Sequence, residues 1–194
     1  MGDHEHDHDH DFSDRVDRLE DPAQYRWLSG EELRTFLQPG PEWVVADLGS
    51  GTGFFTDELA LVVDTVYAID NDQSLHDHYQ GHGMPSNCET VTADVAEIPL
   101  DDDALDGAVS IRTFHHGVDD ALPEVSRLLG PGGRFVVVDW SATGAGQRDR
   151  GPAPDHCYDL ATVQSALLDA GFHIARAWER RETFVVIATN GGTD

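Results

Sequence analysis

Three glycines at alternate positions follow directly after an apolar run in this chain. Residues 44–48 form the run, which contains Asp47, and Gly49, Gly51 and Gly53 come next. This pattern predicts a buried strand that leads into a tight turn and then a helix. Glycine allows backbone angles that a Cβ forbids, and a helix N-terminus offers free N–H groups and a partial positive charge. The pattern therefore predicts a binding site for a nucleoside-containing ligand.

The residues around the glycines bear on which nucleoside fits. The dinucleotide fingerprint is G-x-G-x-x-G, but Phe54 stands where its third glycine falls, and the phosphate-binding P-loop needs a lysine that this sequence lacks. Asp47 would also repel a pyrophosphate. S-adenosylmethionine (SAM) carries a sulfonium and an ammonium group, which suit an acidic turn. We expect Asp47 to contact the ammonium directly or through water, the alternative being a solvated carboxylate at the strand end.

Two further acidic residues follow predicted strands. A second apolar run ends in Asp70, and residues 91–95 place Asp94 after β-branched residues. We expect Asp70 to accept the ribose hydroxyls, as carboxylates do at this place in related nucleotide folds. Asp94 with Val95 is expected to contact the adenine. The alternatives are a helix cap for the segment that starts at Asn71 and a simple turn acid at Asp94.

These pieces resemble the class I SAM-dependent methyltransferases, closest to the small UbiE/Coq5-like (methyltransferase type 11) branch. The resemblance covers roughly residues 40–188 and also rests on residues 114–116 and 122–133. It implies a SAM site at the carboxyl ends of the first four strands, SAH as product, and methyl transfer to a small-molecule or lipid-like acceptor, at a quinone-type carbon or an oxygen. The cofactor-binding residues that it implies are Asp47, Gly49, Ser50, Gly51, Thr52, Gly53, Asp70, Asn71, Asp94, Val95 and Arg112.

The candidates for catalysis follow the fourth and fifth predicted strands. Methyl transfer from a sulfonium needs the donor and acceptor in line, and a general base only where the nucleophile must first lose a proton. His115 or His116 can be that base, since histidine titrates near neutrality, or can pack as a structural residue under the cofactor. Asp139 can orient a substrate or cap a loop, and Trp140 can form a face of the acceptor pocket or join the core.

Composition limits the class of protein. The chain has 194 residues with 39% hydrophobic residues, which suits one domain with a substantial core. We predict a tail over residues 1–12 and a single domain over residues 13–190, with an N-terminal helical cap at residues 13–38. The absence of a long apolar run and of a recognisable secretory signal predicts a cytoplasmic protein. The oligomeric state stays open, a homodimer included.

The net charge is −25, and all 12 basic residues are arginine. Such acidity argues against a nucleic-acid partner, as does the departure of residues 110–113 from the Asn/Asp-Pro-Pro-Tyr/Phe motif of base-amine methyltransferases. A lysine-free, aspartate-rich surface is also typical of salt-loving proteins, because molar salt shortens the Debye length to roughly 3 Å and screens self-repulsion. We therefore expect a halophilic, haloarchaeal source.

The N-terminal tail alternates histidines with acids. Such a tract can bind Zn²⁺, Ni²⁺ or Cu²⁺, but its charge favours a solvated, disordered tail, and we expect no metal site in the chain. If the tail does bind a metal ion, the candidate ligands are His4, His6, His8 and His10.

The order of elements predicts an α/β protein. The resemblance implies a doubly wound, mostly parallel, seven-stranded Rossmann-like sheet with helices on both faces. Asp21 and Ser29 have the spacing of helix caps, residues 159–171 read as the last helix, and residues 174–189 as a C-terminal antiparallel hairpin. Residues 141–156 are rich in Gly, Pro and Ala and are a candidate lid.

Two other functions compete with the methyltransferase. The first is a non-catalytic protein that binds SAM or metal, and the second is an NAD-dependent oxidoreductase on a related fold. The glycine pattern and Asp47 argue against the oxidoreductase, and titration with SAM and with NADH distinguishes the two cofactors.

Overall fold

A single mixed sheet forms the centre of the molecule in the computed structural model, which describes residues 12–143 and 151–191. Its strands are β1 (Val44–Leu48), β2 (Thr65–Asp70), β3 (Cys88–Thr92), β4 (Leu105–Ile111), β5 (Leu129–Trp140), β6 (Phe172–Glu179) and β7 (Thr183–Asn190). The strands lie in the order β3-β2-β1-β4-β5-β7-β6. β7 pairs antiparallel with β5 and β6, and the other neighbours pair parallel. The predicted fold class is confirmed.

Helices join the strands and cover both faces of the sheet. The α-helices in the described part are α1 (residues 12–19), α2 (Gly30–Leu37), α3 (Thr56–Ala60), α4 (Gln73–Gly81), α5 (Leu122–Leu128) and α6 (Leu160–Asp169). Short 3₁₀ helices occur at Pro22–Arg26, Phe114–His116 and Pro154–His156.

The helix starts are held by the caps that the sequence predicts. Asp21 accepts a hydrogen bond from the Ala23 N–H at 2.8 Å and opens the 3₁₀ helix. Ser29 and Glu32 form a capping box, in which the Ser29 hydroxyl accepts from the Glu32 N–H and the Glu32 carboxylate accepts from the Ser29 N–H. A side-chain cap of this kind contributes about 1 kcal/mol.

Two strands have ends that the local pattern does not mark. β3 ends at Thr92, so Asp94 lies two residues beyond the strand, where a turn begins. β5 begins at Leu129 and includes the glycine-rich residues 130–133. The pairing shifts from Leu105↔Leu129 to Gly107↔Arg134, so four glycine-rich residues of β5 lie opposite a single residue of β4.

Two hydrophobic clusters sandwich the sheet. One packs α5 and α6 against β4, β5 and β7, and the other packs α2 and α3 against the opposite face. Because both faces are covered, the central strands are apolar on both sides, as parallel strands are. Large side chains that are fully buried include Leu33, Leu37, Leu59, Phe114, Phe135 and Phe184. Each contributes about 1.5–3 kcal/mol through burial of apolar surface.

Several predictions fall wholly or partly outside the described residues. The histidines His4, His6, His8 and His10 lie there, as do residues 144–150 of the candidate lid. Phe12, placed in the tail by the sequence, is helical. No helix among residues 12–143 and 151–191 is long and apolar enough to cross a membrane, and no group of three or more His, Cys, Asp or Glu side chains in those ranges is arranged to hold a metal ion.

Candidate active site

A cavity of about 500 Å³ opens at the carboxyl ends of the parallel strands. This volume lies within the roughly 300–1,000 Å³ of small-molecule sites, and the place is where ligands bind in open α/β sheets. The cavity is lined by residues of α1, the following 3₁₀ segment, the turns after β1, β2 and β4, and the end of β5, among them Arg15, Arg18, Leu19, Gln24, Trp27, Gly49, Gly51, Asp70, Arg112, Thr113, His115, His116 and Trp140.

The turn after β1 is closely packed against its neighbours. Gly49 has φ +75°, and a Cβ built there would lie 2.1 Å from the Thr113 methyl group, so the turn after β4 occupies that space. Gly53 has φ +86°, and its Cβ would lie 2.3 Å from the Tyr79 ring. Gly49 therefore lets the cavity floor form, whereas Gly53 is required by the packing of α4. The sequence assigned Gly53 to close approach of a ligand, but it does not line the cavity.

Asp70 braces the glycine turn and also lines the cavity. One carboxylate oxygen accepts from the Gly51 N–H at 2.9 Å and the other from the Asp72 N–H at 3.0 Å. Each carboxylate oxygen has a second lone pair. Asp70 can thus hold the turn and accept hydroxyl groups of a ligand at the same time.

Asp47 is buried behind the turn. Its side chain accepts from the Thr56 hydroxyl at 2.7 Å, and the residue is 3% exposed. Burial raises the pKa of Asp47 to about 6. The alternative of a solvated carboxylate is therefore wrong. Contact with the SAM ammonium stays a prediction, since the residue does not line the cavity.

The other implied cofactor residues divide by exposure. Ser50 and Thr52 are buried, and within the described ranges the Thr52 hydroxyl has no hydrogen-bond partner. Asp94 is exposed and accepts from the Ala96 N–H at 2.9 Å. The structure thus gathers Gly49, Gly51, Asp70 and Arg112 around the cavity. The implied residues that do not line it, besides Asp47 and Gly53, are Ser50, Thr52, Asn71, Asp94 and Val95.

Arg112 places a guanidinium among aromatic rings. Its carbon Cζ lies 5.5 Å from the Trp27 ring centroid, 5.7 Å from Phe55 and 5.9 Å from Trp140. One of its terminal nitrogens donates to the Gln24 side-chain oxygen. Burial lowers the pKa of Arg112 to about 10, so the group remains charged at neutral pH. The cluster combines a cation with apolar ring surface on one wall of the cavity.

His115 and Asp139 form a hydrogen-bonded pair at the same wall. Nδ1 of His115 lies 2.9 Å and 3.1 Å from the two carboxylate oxygens of Asp139, which is 1% exposed. Because a carboxylate only accepts, Nδ1 carries the hydrogen and Nε2 of the neutral ring keeps its lone pair. His115 lines the cavity. The arrangement is that of a histidine base oriented by a carboxylate.

His116 lies beside His115, with ring centroids 4.0 Å apart. Burial and the neighbouring His115 lower the pKa of His116. It lines the cavity but has no hydrogen bond to Asp139 among the contacts of the described residues. His115 is therefore the better-placed base.

Trp27 and Trp140 form the roof of the cavity, and the β6–β7 turn holds Trp27 in place. The Trp27 indole N–H donates to Glu182 at 2.5 Å, and the Trp27 carbonyl accepts from Arg180 at 2.7 Å. The Trp27 ring meets Trp140 edge to face, with centroids 5.1 Å apart. Sequence reasoning missed Trp27, Gln24, Arg15 and Arg18 as lining residues. No motif marks them, since their role depends on how the cap folds over the sheet.

Comparisons with known proteins agree with this geometry. Residues 46–137 match the model of a family described as a methyltransferase domain. A crystal structure of a SAM-dependent methyltransferase from Aquifex aeolicus has a TM-score of 0.79 and 27% identity, covering 91% of this chain and 97% of that one.

Two curated relatives are similar over part of the chain. The ubiquinone/menaquinone biosynthesis C-methyltransferase UbiE of Ectopseudomonas mendocina (strain ymp) is 34% identical over 118 residues, 56% of this chain and 45% of that protein. The 24-methylenesterol C-methyltransferase 2 of Oryza sativa subsp. japonica is 28% identical over 136 residues, 65% of this chain and 36% of that protein. The chain spans less than half the length of these two relatives.

The matched segment contains the glycine turn, Asp70 and the His115–His116 pair. The strand order and the Aquifex aeolicus likeness extend the agreement over most of the described chain. Residues 46–137 therefore match a methyltransferase domain, and the chain has the fold of a SAM-dependent methyltransferase.

Proposed function

We propose that this protein transfers the methyl group of SAM to a small acceptor whose nucleophile gives up a proton to His115. The observation that carries the proposal is the His115–Asp139 pair on the cavity wall. A histidine held by a buried carboxylate is suited to proton abstraction. An acceptor that has no proton to lose would not need such a base.

The residues around the cavity fit SAM. The turn at Gly49 leaves no room for a side chain, so the main chain itself forms the floor. Asp70 is proposed to accept the ribose hydroxyls with its remaining lone pairs, and Asp47 to interact with the ammonium through an intervening group. Arg18 precedes Leu19, which covers Gly51, and is available to the SAM carboxylate. When bound, SAM supplies a methyl group on a sulfonium sulfur, which is a good leaving group.

The chain's own residues then have three tasks. The Trp27 and Trp140 roof excludes water from the acceptor side of the cavity. His115 Nε2 takes the acceptor proton, and the Asp139 carboxylate stabilises the resulting imidazolium. Holding the acceptor in line with the donor supplies much of the remaining acceleration.

The acceptor atom is proposed to be an oxygen or a quinone-type ring carbon. Both lose a proton during methylation, which gives His115 its task. The names of the two curated relatives refer to C-methylation, which supports the carbon. The acceptor is proposed to be a small or lipid-like molecule, since the cavity of about 500 Å³ must hold it together with SAM.

Two measurements test the proposal. Isothermal titration calorimetry with SAM, SAH and NADH should show binding of SAM and SAH, and uptake of NADH without SAM would overturn the cofactor assignment. A coupled assay of SAH release should then detect turnover with phenol and hydroquinone acceptors. Undiminished turnover by the His115→Asn variant would remove His115 as the base.

A further inference from the structure

A guanidinium without a carboxylate partner stands on the cavity wall. Arg112 donates to the neutral amide of Gln24, and within residues 12–143 and 151–191 no carboxylate lies at ion-pair distance from it. The guanidinium is half-buried, which lowers the pKa of Arg112, and the charge of Asp139, beyond ion-pair distance, offsets only part of this effect. A buried charge is costly unless an opposite charge or strong acceptors compensate it.

This chain has ample carboxylates, and other arginines use them. Arg34 pairs with Glu58 at 2.6 Å, Arg26 with Glu182 at 2.6 Å, and Arg127 with both Glu124 and Asp102 at 2.7 Å. With a net charge of −25, an arginine that is half-buried and yet has no carboxylate at ion-pair distance is not explained by a shortage of acids.

The surrounding residues hold the guanidinium of Arg112 in place. Gln24 is 4% exposed and is itself fixed, because its amide nitrogen donates to the Arg18 carbonyl at 2.8 Å. The main chain of Arg112 has φ +58°, a conformation that residues other than glycine rarely adopt. Such strain is retained at binding sites where the surrounding structure holds it.

We propose that Arg112 binds a carboxylate carried by the methyl acceptor, so that the acceptor is an aromatic acid with its ring against Trp27 and Trp140. This inference rests on the proposed function and narrows its substrate class. The reacting hydroxyl or ring carbon would face His115, which belongs to the same turn after β4 as Arg112. A guanidinium matches a carboxylate through two parallel N–H groups and also packs well on aromatic faces.

SAM has a carboxylate too, and the placement of α1 argues that it lies elsewhere. Leu19 is the side chain nearest to Gly51, at 3.5 Å from the position of a Cβ there. Arg18, next to Leu19 on α1, also lines the cavity and is available to that carboxylate. Arg112 instead lies among rings contributed by the cap, by Phe55 and by the end of β5.

The test compares two probes that differ by one charge. Protein saturated with SAH is titrated calorimetrically, at constant KCl and pH 7.5, with 3,4-dihydroxybenzoate and with the neutral 3,4-dihydroxybenzamide. We expect at least a tenfold preference for the acid. Arg112→Gln should reduce that preference to less than twofold without weakening binding of the amide, and Arg112→Lys should keep part of the preference. Arg176→Gln, at an exposed arginine that does not line the cavity, should leave the preference unchanged.

Each other result overturns the inference. One such result is an acid-over-amide preference that persists in Arg112→Gln, and another is that neither probe binds the SAH complex at millimolar concentration. A tenfold loss of SAH affinity in Arg112→Gln would show that the guanidinium holds the cofactor's own carboxylate. Failure of the wild-type protein to bind SAH or SAM at all is a separate outcome, which rejects the proposed function. Thermal melting of each variant verifies that the fold is intact.

Discussion

Asp139 holds His115 at two points. One carboxylate oxygen lies 2.9 Å from Nδ1 of the ring, and the other accepts the main-chain N–H of His115 at 3.1 Å. The Trp140 N–H also donates to this carboxylate, at 2.6 Å. The position of the ring relative to the end of β5 is therefore determined by one buried side chain. Two residues that sequence reasoning considered separately form one unit.

The first prediction concerns this unit. The His115→Asn variant should lower kcat with a proton-losing acceptor by roughly 10²-fold or more, since a positioned base contributes about that much, while the Kd for SAH changes little. Asp139→Asn should also lower kcat, because the amide can turn the ring to the wrong tautomer. His116→Asn is the matched control and should retain most of the activity. Equal losses for all three variants would contradict a specific role of His115.

The second prediction concerns Asp70. Asp70→Asn should weaken SAH binding by about 1.5–3 kcal/mol, because it removes a charged acceptor for the Gly51 N–H and for the proposed ribose hydroxyls. Calorimetry measures the change, and Asp101→Asn, a surface variant, controls for the loss of one negative charge. An SAH affinity equal to that of the wild type would reject the ribose assignment.

The third prediction separates packing from backbone strain. Gly53 and Gly171 both have φ +86°, but a Cβ at Gly53 would meet the Tyr79 ring at 2.3 Å, whereas nothing lies within 4 Å at Gly171. Gly53→Ala should lower the free energy of unfolding by about 1–3 kcal/mol more than Gly171→Ala, since overpacking costs about that much. Urea denaturation measures both. Equal losses would show that Tyr79 moves aside without cost.

The fourth prediction is a pH dependence of stability from Asp47. Burial raises the pKa of Asp47 from 3.8 to about 6 in the folded state, so the folded state binds the proton more tightly than the unfolded state. Protonated Asp47 therefore stabilises the folded state relative to ionised Asp47. This stabilisation is fully present below pH 3.8 and is lost as the pH rises through about 6.

Asp47→Asn should remove this dependence. Relative to the wild type, its free energy of unfolding should rise by about 3 kcal/mol between pH 4 and pH 7, since the shift is about two pKa units. Urea denaturation at several pH values checks this, with Asp101→Asn as a control for charge. A constant difference between variant and wild type across that range would contradict the shift.

The fifth prediction concerns salt. We propose a halophilic source, because the chain combines a net charge of −25 with the absence of lysine. Self-repulsion among carboxylates should then destabilise the fold in dilute buffer and be screened at molar salt. The Tm should rise between dilute and 2 M KCl. A Tm that stays level or falls over this range would reject a halophilic origin.

Much of the fold follows from local sequence signals. The apolar runs before Gly49 and Asp70 are strands, Asp21 and Ser29 cap helices, and the segment from β6 to β7 is a hairpin. These features depend on residues near one another in the chain, so pattern and spacing are enough to find them. The end of β3 is less well marked, because Ala93 separates its last β-branched residue, Thr92, from Asp94.

The site was only partly predictable for a physical reason. Gly49, Gly51 and Asp70 belong to contiguous motifs, and they do line the cavity. Gln24, Trp27 and Trp140 come together only when the cap folds over the sheet, across distances in sequence that no motif spans. The burial of Asp47 by Thr56 likewise depends on how α3 packs, which the sequence pattern does not reveal.

The hydrogen bond from Trp27 to Glu182 ties the beginning of the chain to its final hairpin. The family match ends at residue 137, so neither of these residues, nor Trp140, lies inside it. The segment shared with the family thus contains the glycine turn, Asp70, Arg112 and His115, and the two ends of the chain, bonded to each other, add the tryptophan rings beside them. A chimera that keeps residues 46–137 and exchanges both ends as a pair should change substrate preference without changing the methyl donor.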